Sequence, residues 1–145
     1  MGEAVTALPC KSATAIVQIS EAGEPWLRGY RCAECAAVVA DATLCCRACG
    51  SRVAPAAVRL SPRGKLFTWA MVHRSFPGVA VPFVSAIVDF DDGLTVKGTL
   101  RTANPEALRA GMPVAAVFDD AGGATNSDGV AYIGYHFEPV GGEPA

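Results

Sequence analysis

A chain of 145 residues, 51% hydrophobic and 18% charged, has room for one ordinary domain or for a small metal-stapled module beside a compact second one. Its formal net charge of −2 makes no electrostatic case for a general nucleic-acid binder, whose affinity comes from neutralising phosphates. No apolar run approaches the roughly 18 residues of a membrane helix, so the apolar excess points to a partner surface rather than to a bilayer.

Met1 to Thr14 has no periodicity and lacks the basic start and apolar core of a secretory signal, and a cytoplasmic location is expected. Residues 1–27 are expected to form an arm followed by a short hairpin. Its strands are Ala15–Ile19 and Trp26–Tyr30, and Glu21–Pro25 is the turn between them. Trp26 and Tyr30 are expected to pack beneath the cysteine-rich segment that begins at Cys32, because so small a module has little other core.

Residues 28–52 carry the organising motif. Cys32-Ala33-Glu34-Cys35 is followed, after ten residues, by Cys46-Arg47-Ala48-Cys49 and then Gly50-Ser51. Two Cys-x-x-Cys knuckles at this spacing can close tetrahedrally on one metal ion, the signature of a zinc ribbon. The competing account is two disulfides or four buried thiols, and the absence of an export signal argues against an oxidising compartment. Iron in a rubredoxin-like site is the other metal reading. Zinc (Zn2+), one per chain, is expected because nothing else in the sequence points to electron transfer. Cys45 could replace Cys46 as a ligand, but Cys46 keeps the two-residue spacing to Cys49. Cys10 has no partner at metal spacing and reads as an ordinary thiol.

Residues 53–62, with Pro55 and several alanines, are the expected linker, and residues 63–139 then become strongly β. Lys65–Arg74 alternates Leu66, Thr68, Ala70 and Val72 with Phe67, Trp69, Met71 and His73, which predicts a strand buried on both faces. Ser75–Val81 is a loop and Pro82–Phe90 a second strand. Asp91-Asp92-Gly93 is a hairpin turn leading into a third strand, Leu94–Arg101. Asn104 is a candidate cap, Pro105 a first helical residue and Gly111 a terminator, which predicts a short helix over Ala107–Ala110. Pro113–Phe118 is a fourth strand, Asp119–Asp128 a polar loop and Val130–Phe137 a fifth strand, with a frayed tail from Pro139 through 140–145. The fold expected is mainly β: an N-terminal rubredoxin-like zinc ribbon followed by a five-stranded OB-fold barrel with one short helix.

Charge is unevenly distributed. Arg28, Arg31, Arg47, Arg52, Arg59, Arg63, Lys65 and Arg74 stand against only Glu34 and Asp41 in the segment from Arg28 to Arg74, and the residues after Arg74 are predominantly acidic. A solvated face explains this as well as a phosphate-bearing ligand or an acidic partner does. An enzyme acting alone would need a nucleophile, an acid or a base in a cleft. The chain offers His73, His136 and aspartates mostly in turns, and a four-cysteine site leaves no open position for activating water.

Taken together, Arg31-Cys32-x-x-Cys35, Cys46-x-x-Cys49-Gly50-Ser51, Leu60-Ser61-x-Arg63-Gly64, Val72-His73-Arg74, Pro77-Gly78, Pro82-Phe83, Arg109-x-Gly111-Met112-Pro113-Val114 and Phe137-x-Pro139 resemble the rubredoxin-like zinc-ribbon plus OB-fold proteins associated with acyl-CoA enzymes. The resemblance spans about residues 28–139. It implies a non-catalytic accessory subunit that docks on a thiolase-like catalytic subunit and helps shape its site for a coenzyme A ester. It also leaves open a hydratase or a polyketide-type acyltransferase as the partner. A single-stranded nucleic-acid binder is the third reading, and the acidic barrel region argues against it. Two departures stand out: Ala36 occupies a position where many relatives have glycine, and Val39-Ala40-Asp41-Ala42 replaces an aromatic and prolines. Within the implied complex, Arg63, Lys65, His73 and Arg74 are the candidates for contact with the CoA phosphates. The competing account is that these cations bind acidic side chains of the partner.

Overall fold

The computed structural model describes residues 10–140. The expected arm over residues 1–9 and the tail over 141–145 lie outside the described residues.

The N-terminal module is a small sheet built on β3 (Pro25–Arg31), whose seven residues pair antiparallel with β2 (Val17–Ile19), β4 (Val38–Val39) and β5 (Ala56–Arg59). β5 falls within the segment expected as linker. Arg28 to Arg31 take Arg59 to Ala56 as their partners, and the pairing continues where the Leu60 N–H donates to the Leu27 carbonyl at 2.8 Å. The alanines there are flat enough to lie on β3, a placement that only the return of the chain from the second knuckle makes available. Part of the expected arm is also ordered: β1 (Cys10–Ser12) runs parallel to the last strand of the chain, β10 (Ala131–Pro139).

The second module is a closed five-stranded barrel. β6 (Arg63–Val72) pairs with β7 (Phe83–Phe90), and β7 pairs with β8 (Thr95–Leu100). β6 also pairs with β9 (Pro113–Asp119), β9 with β10, and a parallel contact of Phe137 with Leu100 joins β10 to β8 and closes the ring. This is the connectivity of an OB-fold. On β7 every second residue (Val84, Ala86, Val88, Phe90) turns inward, the period-two pattern of a strand with one buried face. Those side chains form one core with Leu66, Val96, Leu100, Val114 and Phe137. Val17, Leu27, Val38 and Leu60 of the N-terminal sheet belong to the same core. A further tie is the Ser61 N–H, which donates to Asp92 Oδ2 at 2.7 Å.

Three expectations are corrected. The helix over Ala107–Ala110 is replaced by a single 3-10 turn, Pro105–Ala107, and Asn104 makes no side-chain cap. Leu108 is drawn into the core and lies in extended conformation at φ −68°, ψ 141°, which ends the turn before a helix can nucleate. β6 is also not buried on both faces. A bulge at Phe67 shifts the register between Leu66 and Thr68, so that Trp69 and Met71, rather than Thr68 and Ala70, continue the core-facing side opposite Ala86 and Val84. Past the bulge the strand outruns the barrel, leaving Phe67 61% and Met71 41% exposed. The chain also does not fray at Pro139, which ends β10, and Val140 still donates to the Pro113 carbonyl at 3.1 Å. No helix among the described residues is long and apolar enough to cross a membrane.

Candidate metal centre

The two knuckles fold by one local scheme. The Cys32 N–H donates to the Ala37 carbonyl at 2.8 Å and the Ala36 N–H returns to the Cys32 carbonyl at 3.0 Å. The second knuckle repeats this with Cys46 to Ser51 and Gly50 to Cys46, both at 2.8 Å. The residue after each knuckle is left-handed, Gly50 at φ 78° and Ala36 at φ 66°. For Ala36 that conformation costs about 1–2 kcal/mol, which is the physical content of the departure from glycine at this position. In each knuckle a backbone N–H also points at sulfur: Glu34 at Cys32 Sγ (3.4 Å) and Ala48 at Cys46 Sγ (3.3 Å).

These turns bring the four sulfurs of Cys32, Cys35, Cys46 and Cys49 within 4.8 Å of one another. Cys32 and Cys49 stand 3.7 Å apart and Cys35 and Cys46 3.6 Å. A tetrahedron with metal–sulfur bonds near 2.3 Å has edges of about 3.8 Å, so the donor set and its spacing fit a zinc ion. Cys45 takes no part in the cluster. It is exposed, and its carbonyl accepts a bond from Thr43 Oγ1 at 2.6 Å. Cys10 opens β1.

The four thiols are electrostatically unequal. The backbone N–H of Cys35, then that of Glu34, draws Cys32 down to about 6, and the N–H groups of Cys49 and Ala48 lower Cys46. At Cys35 the Ala37 N–H pulls downward, but desolvation and the thiols of Cys46 and Cys32 outweigh it and raise the group. At Cys49 the Ser51 N–H is likewise outweighed by desolvation and the three neighbouring thiols, which push it up to about 12. Loading a divalent metal must therefore expel protons from Cys35 and Cys49, and metal retention weakens as pH falls.

The other candidate residues do not converge. Arg63 and Lys65 open β6, whereas exposed His73 and Arg74 lie just past its end. Strand geometry puts the two pairs roughly 25 Å apart. His136 is 4% exposed and sits between two carboxylates, with Nδ1 2.7 Å from Asp119 Oδ2 and Nε2 2.6 Å from Glu138 Oε2. Arg101 approaches Asp119 at 3.6 Å. In the sequence only the i, i+2 spacing of His136 and Glu138 hints at this group, because Asp119 arrives through the β9–β10 register.

Burial disfavours the Asp119 carboxylate. The hydrogen bond from His136, the Ala121 N–H and the charges of His136 and Arg101 outweigh that and hold its pKa below the ordinary 3.8. A depressed carboxyl contributes stability that is complete above its unfolded pKa and is lost as pH falls through the folded value. Asp119→Asn is therefore expected to cost about 1.5–3 kcal/mol at pH 7. Denaturation curves of the two proteins should converge as the pH is taken below about 4.

Comparison with known proteins agrees with this architecture. The family described as ChsH2, C-terminal OB-fold domain, matches residues 57–119. A DUF35 domain-containing scaffold protein of Methanocaldococcus jannaschii is 32% identical over 117 residues, covering 79% of this chain and 82% of that protein. The benzoylsuccinyl-CoA thiolase subunit BbsA of Geobacter metallireducens is 28% identical over 120 residues, covering 83% of this chain and 79% of the subunit. A chain of the solved Ltp2-ChsH2(DUF35) aldolase superposes with a TM-score of 0.62 at 23% identity, covering 80% of this chain and 86% of that one, and so shares the fold.

Proposed function

The chain belongs to the DUF35 family of scaffold proteins, and from that premise we propose that it is a non-catalytic accessory subunit of an acyl-CoA enzyme in the cytoplasm. It docks on a thiolase-type catalytic subunit and helps shape the site for the CoA ester. The observation that carries this reading is the likeness, along 83% of the chain, to a protein named as a thiolase subunit. The chain's own chemistry supports it. A zinc ion held by Cys32, Cys35, Cys46 and Cys49 would have all four positions filled by sulfur and would act as a structural clamp on β3, β4 and β5 rather than as a Lewis acid. The phosphates of one CoA belong to a single nucleotide, so at most one of the pairs Arg63/Lys65 and His73/Arg74 stands beside them.

The test is co-expression with the thiolase-type subunit encoded nearest to this chain in its genome. A stable hetero-oligomer is expected, with a buried interface above about 2,000 Å², and with turnover of the CoA ester dependent on the chain. A catalytic subunit that is fully active alone, beside a chain that remains a monodisperse monomer, would overturn the reading.

A further inference from the structure

β6 is the longest strand among the described residues, and one of its edges is paired only in part. It pairs with β7 along its length, but with β9 only over Arg63–Lys65 among the described residues. The last bonds on that side belong to Leu66, whose N–H donates to the Met112 carbonyl at 2.9 Å and whose carbonyl accepts from the Gly111 N–H at 2.7 Å. From Phe67 to Val72 the outer edge has no strand beside it among the described residues, a length of about 20 Å. An open edge of this kind is a template for another strand, and proteins that must keep such an edge unused commonly place lysine, proline or an inward charge on it. Phe67-Thr68-Trp69-Ala70-Met71-Val72 carries none of these. Phe67 stands clear of the surface on one side of the strand. On the other, Met71 rims a groove of about 490 Å³ lined by Val79, Phe83, Leu100 and Pro105. Phe76, in the following loop, is also 83% exposed.

Charge selects what can pair there. No aspartate or glutamate occurs between Asp41 and Asp89, and the apolar strip has Arg63 and Lys65 at one end and His73 and Arg74 at the other. Closed two-fold pairing of β6 with a second copy of itself runs antiparallel. Centred on the open edge, such a pairing brings His73 and Arg74 of each copy toward the Arg63 and Lys65 end of the other, and like charges brought together repel. A foreign segment with carboxylates at its ends meets no such penalty.

We propose that the edge of β6 from Phe67 to Val72 is a docking strand, on which an extended segment of the catalytic subunit, apolar at its centre and acidic at its ends, adds as the next strand of the barrel sheet. Main-chain hydrogen bonds would supply affinity, while the groove beneath Met71 and the two cationic ends set register. The assignment rests on the accessory-subunit reading and is narrower than it.

The experiment uses the co-expressed complex with the photoreactive residue benzoylphenylalanine in place of Phe67, Met71, Leu44 or Ala131, one at a time. Leu44 is on the metal-binding module and Ala131 on β10, and both are exposed. Illumination is expected to join positions 67 and 71, but not 44 or 131, to an extended segment of the catalytic subunit that contains Asp or Glu. The double variant Phe67→Asp/Met71→Asp should weaken association at least about thirtyfold while its metal content and melting temperature stay at the native values. Adducts from 44 or 131 with none from 67 and 71 would leave the accessory-subunit reading intact and overturn the docking strand. Adducts to a second copy of the chain would overturn it in favour of self-pairing. Failure to form any complex would remove both readings together.

Discussion

Withdrawal of the metal is expected to unfold residues 28–60 while the barrel persists. The four sulfurs are held by two tight turns with little beneath them: of the ligands only Cys32 is buried, and Cys35 and Cys49 are exposed. Apart from Val38 and Leu60, which reach the common core, the segment has few buried apolar side chains to replace metal–sulfur bonds, and in small sites of this kind the binding free energy is the folding free energy. Elemental analysis of the native protein should find one zinc per chain, and Cys46→Ser should reduce it well below one. Hydrogen exchange after chelation should show loss of protection at β3, β4 and β5 and retention at β7 and β8, whose core is built from Val84, Ala86, Val88 and Phe90. Full zinc retention in Cys46→Ser would mean that Cys45 or another donor has taken the position, and the assignment of ligands would be wrong.

Phe137→Ala is expected to cost about 3–5 kcal/mol, the range for removing a fully buried aromatic ring. The side chain is 0% exposed. It lies 5.9 Å from the Phe90 ring and 5.6 Å, edge on, from that of Tyr135. The same residue closes the barrel, since it pairs with Leu100 of β8 and its carbonyl accepts the Arg101 N–H at 2.8 Å. β8 is shaped to receive it: a Cβ on Gly98 would come within 2.8 Å of the Phe137 ring, closer than any side chain tolerates. A loss of this size is a large part of the roughly 5–15 kcal/mol that holds a domain together. It should appear as a lower denaturant midpoint with an unchanged slope. A change below about 1 kcal/mol would show that the ring is not the plug of the barrel.

What the amino-acid sequence determines by itself is whatever depends on neighbours along the chain. The metal knuckles are legible because a thiolate pair two residues apart on a turn carries its chemistry wherever the turn is placed. The hairpin of β7 and β8 is legible because Gly93, at φ 101°, supplies the turn and every second residue of β7 is apolar and inward. The order of strands around one short turn is enough to identify the barrel. Only the tertiary structure decides features set by partners distant in sequence. The alternation on β6 holds as far as Leu66, and then the bulge, where pairing with β9 gives out, reverses its phase and turns an expected core strand into an exposed edge. Asp119 and His136 meet because β9 and β10 pair in one register rather than another, and a slip of one residue would send the two side chains to opposite faces. Leu108 ends a helix before it can form, because burial in a core assembled from five strands outweighs a local propensity worth tenths of a kcal/mol per residue. Arg63 and Arg74 look adjacent in function on the sequence, yet an extended strand is the one element that keeps its two ends as far apart as the chain allows.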